Sequence, residues 1–546
     1  MSLVATTLTG VAASPGTVHA PAVGWEPGVA VAVQPAADLD EASARVVADL
    51  EFRAAAATTG EGAEVLRALV MFAADPELLA LARSLADGGQ TPEDAIRSAA
   101  ASYADQLRGL GGYLAERAPD VEDVGARLAD CLAGRAPAEL PRPGHPYVLV
   151  ARDLAPADTA LLDPRAVVGI VTEQGGPTSH TTILARALGI PAVVACPGAR
   201  TVLDGHEVLV DGSRGEVHVA PNAALVAAVA SREEEEATRR AQSRGPGSTA
   251  DGVGVKLLVN LGTVDQAVAA AAEDVEGVGL FRTEFLFLGR TDEPQPDEQL
   301  ETYAAVLEAF GDRRVVFRTL DAGSDKPVPF LGLADEENPA LGVRGLRTAV
   351  TRGDVLQRQL EALAGAAART GTDPWVMAPM VSTPAEADHF AGLARTAGLR
   401  HVGVMVEVPS AALRARHVLR SVDFASIGTN DLAQYALAAD RQLGDVAALL
   451  DPWQPALLDL VASTCSGASD HDLPVGVCGE AAADPHLAAV LVGLGVRSLS
   501  MAPVAVPGVR SLLAAVDLAT CREVAEAARS AIDAATARAV VADLLG

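Results

Sequence analysis

Positive charge is what this chain has least of. Against 71 Asp and Glu stand 42 Lys and Arg, a formal net charge of −29 over 546 residues, which argues against nucleic acid or an acidic membrane as the main partner. A basic protein partner suits it better. Lysine occurs only at Lys256 and Lys326, so nearly every cation is an arginine, most simply the mark of a GC-rich genome. Aromatic residues are 3% of the chain, and its cores must be built from Ala, Val and Leu. Cysteine is scarce as well: Cys131, Cys196, Cys465, Cys478 and Cys521 are odd in number and scattered, with no C-x-x-C spacing. That pattern excludes a disulfide framework or zinc cluster and indicates a reducing compartment. Long apolar runs are missing. No window approaches the ~20 residues of a membrane span, and the segment from Met1 to Leu8 lacks the basic region and apolar stretch of a signal peptide. A soluble, cytoplasmic protein is expected.

What is present is a globular composition, 49% hydrophobic and 21% charged, in a chain too long for one core, so two to four domains are expected. The first twenty or so residues read as strands and turns, with Ala13-Ser14-Pro15-Gly16 as a turn. From about Asp38 to Gly134 the pattern is helical, in about four segments. Asp75-Pro76-Glu77 and Thr91-Pro92-Glu93-Asp94 combine an N-cap residue, a first-turn proline and an acid. Pro137 to Pro146 is a proline-rich boundary, after which Tyr147-Val148-Leu149-Val150 resumes strand character and leads on to Val210 and His218. One helix is predicted from Ala223 to about Ala241, its Glu233 to Glu236 run set four residues before Arg239 and Arg240 as a solvated face. Followed by Gly245-Pro246-Gly247-Ser248, it reads as a linker between two bodies.

The stretch around which the chain is organised is Gly175-Gly176-Pro177-Thr178-Ser179-His180-Thr181-Thr182. A strand over Val167 to Val171 precedes it, and Ser179 or Thr178 can cap a helix running to Leu188. His180 then sits in the first turn, where free amides and the helix dipole favour an anion such as a phosphoryl group on the imidazole. Alone, such a histidine is more often a cap or a packing residue. Its hydroxyl neighbours, with no Cys or second His nearby to make a zinc site, shift that balance.

Beyond Lys256, short apolar strands alternate with helices: Lys256–Asn260, Gly277–Phe281, Val315–Thr319, Trp375–Met380, His401–Val406, Phe424–Ile427, Val475–Cys478 and Ser498–Met501. Eight such strands indicate a parallel (β/α)8 barrel, whose active site lies just past the strand ends. Those ends carry Arg282, Arg318, Glu407, Asn430, Asp431 and Cys478, with Arg441 a little further on. Singly, an Arg or Glu there is usually a surface ion pair, and Cys478 a small core residue. Together at one barrel mouth, arginines can grip a phosphate while two carboxylates hold a divalent cation such as Mg²⁺. Lys326 could add charge there, although a loop lysine is more often simply solvated.

The motifs at these positions resemble Enzyme I of the bacterial phosphoenolpyruvate-dependent sugar phosphotransferase system. They are Gly175 to Thr181, Gly277-Val-Gly-Leu-Phe-Arg282-Thr-Glu-Phe-Leu, Phe317-Arg318-Thr-Leu-Asp321, Glu337-Asn-Pro-Ala-Leu-Gly342-Val-Arg344, Gly403-Val-Met-Val-Glu407-Val-Pro, Ser426-Ile-Gly-Thr-Asn430-Asp431-Leu and Cys478-Gly-Glu480. Seven motifs in order are far more specific than any one of them. The resemblance implies a multidomain α/β protein: a swivelling phosphohistidine domain at 1–37 and 136–222, an all-helical carrier-binding insert at 38–135, a helical linker at 223–250, and a (β/α)8 barrel at 251–546 that binds phosphoenolpyruvate and dimerises. It implies that His180 accepts the phosphoryl group and passes it to the histidine phosphocarrier protein HPr. Arg282, Arg318 and Arg441 would bind the phosphate, with Asn430 and Asp431 fixing the substrate. Glu407 and Asp431 would hold Mg²⁺, and Cys478 would protonate the enolate carbon to give pyruvate.

The chain departs from the family pattern at Pro177, where relatives often carry Arg, and at Ala322 and Ser324, where glycine is usual; the helical insert matches least well. Pyruvate phosphate dikinase and phosphoenolpyruvate synthase resemble the same segments but need a nucleotide-binding domain, and only 179 residues precede His180. A nitrogen-system Enzyme I would carry a further sensory domain. A catalytically idle regulator, the reading from another class, predicts a broken site, whereas the residues turnover requires are all in the sequence.

Overall fold

The computed structural model describes residues 6–14, 16–25, 33–56, 60–110, 118–135, 140–154, 158, 162–175, 180–201, 205–212, 214–288, 290–324, 328–334, 336–441 and 444–545. The chain divides into two compact units, Met1–Glu235 and Glu236–Gly546.

In the first unit, strands β1 (Thr6–Thr9), β2 (Val11–Ser14), β3 (Thr17–Trp25), β4 (Tyr147–Ala151), β5 (Val167–Thr172), β6 (Ala192–Val194), β7 (Glu207–Asp211) and β8 (Glu216–Val219) form one sheet in the order β1-β8-β7-β3-β4-β5-β6-β2. Its centre, β3 to β6, is parallel, and the flanking strands pair antiparallel. Every residue of β4 is buried, as a central strand covered on both faces requires. Between β3 and β4 five helices, Leu39–Ala56, Gly60–Ala73, Pro76–Asp87, Pro92–Leu110 and Ala118–Leu132, pack around their own core of Leu50, Leu66, Leu69, Leu78, Ile96 and Val124. Among the described residues that is one helix more than the sequence suggests. The signals at their starts operate as expected: the Asp75 carboxylate accepts from the amides of Glu77 and Leu78, and Thr91 Oγ1 from that of Asp94.

The linker helix spans Ala223–Gln242. The second unit then closes eight parallel strands into a barrel: β9 (Lys256–Leu261), β10 (Gly277–Arg282), β11 (Arg314–Arg318), β12 (Trp375–Ala378), β13 (His401–Val406), β14 (Phe424–Ile427), β15 (Val475–Val477) and β16 (Ser498–Met501). Their bounds fall within two residues of the sequence-based ones. The largest difference is at β12, which stops before Pro379 because a proline cannot donate to the ladder and Met380 has a φ of 60°. Alternation along the strands sends Phe317, Val376, Val404 and Ile427 outward to the helices. Leu280, Val316, Met377, Met405, Phe424 and Cys478 line the inside.

Gly176 to Ser179 and the Asp325-Lys326 pair lie outside the described residues, as do the side chains of His180, Glu233 and Arg239-Arg240. All five cysteines are unpaired. No single helix among the described residues is long and apolar enough to cross a membrane.

Candidate active site

Charged groups crowd the C-terminal mouth of the barrel because the strands end there and the next residues turn inward. Arg318 closes β11 and is 7% exposed; Glu407 follows β13 at 0% and Asp431 follows β14 at 6%. Arg318 bridges Glu284 Oε1 at 3.2 Å and Asp321 Oδ2 at 3.3 Å, and the amide of Asp321 donates to the same Glu284 oxygen at 2.9 Å. Arg344, 1% exposed, forks onto both oxygens of Asp321 at 3.0 Å and extends its remaining nitrogen to Asp431 Oδ1 at 2.9 Å. Arg441 Nη1 stands 3.6 Å from the other Asp431 oxygen. Arg282 ends β10 exposed at the rim.

This chain of ion pairs sets the protonation states. Burial by itself would lower the guanidinium pKa values of Arg318 and Arg344, but the carboxylates around them push both above the usual value. Burial would raise the Asp431 carboxyl, yet Arg344 and Arg441 hold it below its ordinary range. Glu407 lacks such a partner: burial, then Asp431 and Asp321, push it up to about 7. Its Oε1 accepts the Met380 amide at 2.6 Å, while Oε2 is buried with no partner. The left-handed backbone of Met380 that aims this amide is unusual for a non-glycine residue. Gly345 makes room for it, since a Cβ there would lie 2.9 Å from Met380 Cγ.

The residues fit a divalent cation. Glu284, Asp321, Glu407 and Asp431 surround the buried Arg318 and Arg344, with Arg441 reaching Asp431 from the edge, so carboxyl groups outnumber guanidinium groups in the cluster, and the orphaned Glu407 oxygen is an available hard ligand. Among the described residues no group of three His, Cys, Asp or Glu forms a metal cage. A cation would use Glu407 and Asp431 and take its remaining ligands from substrate and water, the habit of Mg²⁺.

Cys478 lies just past β15, 3% exposed. Its amide donates to Ile427 O at 3.0 Å and its thiol faces the same oxygen at 3.6 Å. Burial pushes the thiol up to about 11, so near neutrality it is a proton donor and not a nucleophile. The loop that carries it is held from two sides. Asn260 Nδ2 donates to Cys478 O at 3.0 Å, and Asn430 Oδ1 accepts the Glu480 amide at 3.1 Å. Gly479 is required between them, because a Cβ there would lie 1.9 Å from Thr429 Oγ1.

Of the residues singled out in sequence, Arg318, Glu407, Asn430, Asp431 and Cys478 gather at this mouth, with Arg282 and Arg441 at its edge. His180 opens the helix His180–Leu188 in the other unit. Sequence reasoning gave no role to Glu284, Asp321, Arg344 or Asn260. The first three stand inside the quoted motifs; Asn260 could have been noticed only as an amide in an otherwise apolar strand.

Comparison with known proteins identifies the family. The family described as PEP-utilising enzyme, PEP-binding domain matches residues 236–518; the mobile domain of PEP-utilising enzymes matches 143–215 and their N-terminal domain 9–117. A phosphoenolpyruvate-protein phosphotransferase of Streptomyces coelicolor is 54% identical over 495 residues, covering 90% of this chain and 89% of that protein. One from Haloferax volcanii is 42% identical over 480 residues, with 85% and 84% covered. A solution structure of an Enzyme I protein, 33% identical, covers 42% of this chain and 98% of its own, with a TM-score of 0.37. The three domain matches, in sequence order, and the 54% identity along nine-tenths of the chain place this protein in the phosphoenolpyruvate-protein phosphotransferase family, that of Enzyme I.

Proposed function

We propose that this chain takes the phosphoryl group of phosphoenolpyruvate onto its own His180 and passes it to the histidine phosphocarrier protein HPr. Pyruvate is released, and the reaction is the first step of sugar uptake by the phosphotransferase system. The observation that carries the reading is a neutral, buried thiol, Cys478, at a mouth lined by arginines and two cation-ready carboxylates. Such a mouth suits a phosphorylated enol whose carbon must be protonated.

Arg282, Arg318 and Arg441 grip the phosphate, and Asn430 and the backbone at Asp431 help to fix the substrate. Glu407 and Asp431 hold Mg²⁺, which when bound supplies charge to polarise the substrate oxygens. Positioning and charge neutralisation are most of what phosphoryl transfer asks of a protein. The unprotonated imidazole of His180 attacks phosphorus: a P–N bond forms, the P–O bond to the enol breaks, and the enolate is left. Cys478 then gives its thiol proton to the terminal carbon, and pyruvate leaves. The helical insert docks the carrier, the barrel pairs with a second copy as a homodimer, and the five unpaired cysteines suit the reducing cytoplasm.

Phosphoenolpyruvate labelled at phosphorus, supplied with Mg²⁺, tests this. The parent is expected to carry an acid-labile label and release pyruvate, and His180→Ala to remain unlabelled. An unlabelled parent with its fold intact would overturn the enzyme reading in favour of a regulatory one.

A further inference from the structure

Alternation along β9 sends Leu257, Val259 and Leu261 out to the helices and turns Asn260 inward, to the side lined by Leu280, Val316, Met377 and Met405. An amide is costly there unless its polar atoms find partners, and these find three. Nδ2 donates to Cys478 O at 3.0 Å and to Ser500 O at 3.2 Å; Oδ1 accepts the Ser500 hydroxyl at 2.6 Å. Two carbonyls on one side and a hydroxyl on the other fix which way the amide faces. Ser500 is 3% exposed, and Gly279 of β10 leaves it room, since a Cβ there would lie 2.5 Å from Ser500 Oγ.

The Asn260 side chain thus reaches from β9 past β16 to the end of β15. That strand is only three residues long, and its pairing with β16 ends at Val477 and Leu499, one residue before Cys478. On the β14 side the ladder runs on, because the Cys478 amide donates to Ile427 O at 3.0 Å. On the β16 side the Asn260 amide takes the place of the ladder. Further along, Asn430 Oδ1 accepts the Glu480 amide at 3.1 Å, so the stretch Cys478-Gly479-Glu480 is held by an asparagine at each end.

We infer that Asn260 is a positioning residue for proton delivery: anchored by Ser500, it fixes the Cys478 backbone and so the line along which the thiol meets the substrate carbon. The inference rests on the assignment of Cys478 as the acid. The S–H bond breaks as the C–H bond of pyruvate forms, and the thiolate is reprotonated by water once pyruvate has left; the Asn260 amide gives up no proton of its own. Its contribution is geometric, and a misplacement of about 1 Å at a reacting group can cost on the order of 100-fold. Phosphoryl transfer comes before this step and is served by the arginines at the other strand ends.

The two steps are read apart in a single turnover of the full-length protein. Phosphoenolpyruvate carrying one deuterium at a defined position on its terminal carbon is turned over with Mg²⁺ in tritiated water, so that protonation on one face makes a methyl group of one configuration. Labelling of His180 is followed in parallel with substrate labelled at phosphorus. The parent is expected to give one configuration. Asn260→Leu, apolar and of similar volume, is expected to label His180 within about twofold of the parental rate but to deliver the proton roughly 100-fold more slowly. Enolpyruvate then escapes, is protonated in solvent on either face, and yields a racemic methyl group. Asn260→Ser, whose side chain is one bond shorter, gives the same reading should the leucine variant not fold; circular dichroism and melting temperature check both. One methyl configuration in the folded variants overturns the inference. A loss of His180 labelling equal to the loss of configuration also overturns it, making Asn260 part of the general framework of the barrel. Cys478→Ala, run alongside, separates this inference from the reading beneath it. A racemic methyl group there with one configuration in the Asn260 variants removes Asn260 alone, whereas one configuration at the parental rate without the thiol removes Cys478 as the acid.

Discussion

At the scale of single residues, the most telling atom is Glu407 Oε2, a carboxylate oxygen buried with nothing to bond to. An unpaired buried acceptor costs about 1–3 kcal/mol, more when charged. On the function proposed above, this oxygen is kept for a cation. Glu407→Gln retains the acceptor for the Met380 amide and removes the charge. The metal-free variant is expected to be more stable than the parent by about 1–3 kcal/mol in urea and to bind Mn²⁺, read by electron paramagnetic resonance, at least tenfold more weakly. Binding equal to the parent would remove Glu407 from the ligand set. Cys478 makes a second prediction at this scale. In its proposed role only the protonated thiol can act, and burial raises its pKa to about 11. Single-turnover pyruvate formation, where protonation limits it, should therefore stay level between about pH 7 and pH 10 and fall as pH rises through the raised value. A thiol near its usual ~8.5 would already have lost most of its acid form by pH 10. A fall centred on pH 8.5 would mean the thiol is far wetter than its 3% exposure indicates.

At the scale of elements, the barrel mouth is a set of loops tied together by one side chain. Arg344 links the loop after β11, through Asp321, to the start of the helix Thr429–Leu437, through Asp431. Arg344→Met would leave two buried carboxylates without their shared partner. A loss of roughly 3–5 kcal/mol is expected in urea denaturation, against less than about 0.5 kcal/mol for exposed Arg282→Met. Equal effects would mean that the mouth is wet and the brace idle. The sequence made the strands of this barrel legible, because runs such as His401–Val406 and Phe424–Ile427 are apolar, short and bounded by turns. Their ends were legible for the same reason, and with them Arg318, Glu407, Asp431 and Cys478. It could not show Arg344 as the brace: its partners lie 23 and 87 residues away, and no local pattern records such a distance. β12 was overread by two residues because Trp375 to Met380 looks uniformly apolar, while Pro379 and the strained Met380 obey tertiary constraints.

For the whole molecule, the proposed phosphoryl transfer to His180 would require a place where the chain bends, and the hydrogen bonds narrow where that can be. From Ser243 onward the chain is pinned to the barrel: Arg510, 4% exposed, donates to Ser243 O at 3.2 Å. Beyond it the amide of Gly245 donates to Asp274 at 2.8 Å and that of Gly247 to Glu276 at 2.9 Å. Of the described side chains in Ala223–Gln242 none is fully buried, so the described part of this helix of 20 residues gains little from packing and is only marginally stable by itself. Bending is therefore expected within residues 223–242 and not across the full 223–250 linker. Amide hydrogen exchange on the free protein separates the two, since exchange reports local opening. Protection should rise sharply at Gly245 and Gly247, with the amides of 223–242 exchanging at least tenfold faster. A helix as protected as Gly247 would be a rigid strut, and the bend would have to lie before Ala223, at Pro221-Asn222, where the Asn222 side chain caps the Leu225 amide at 2.8 Å.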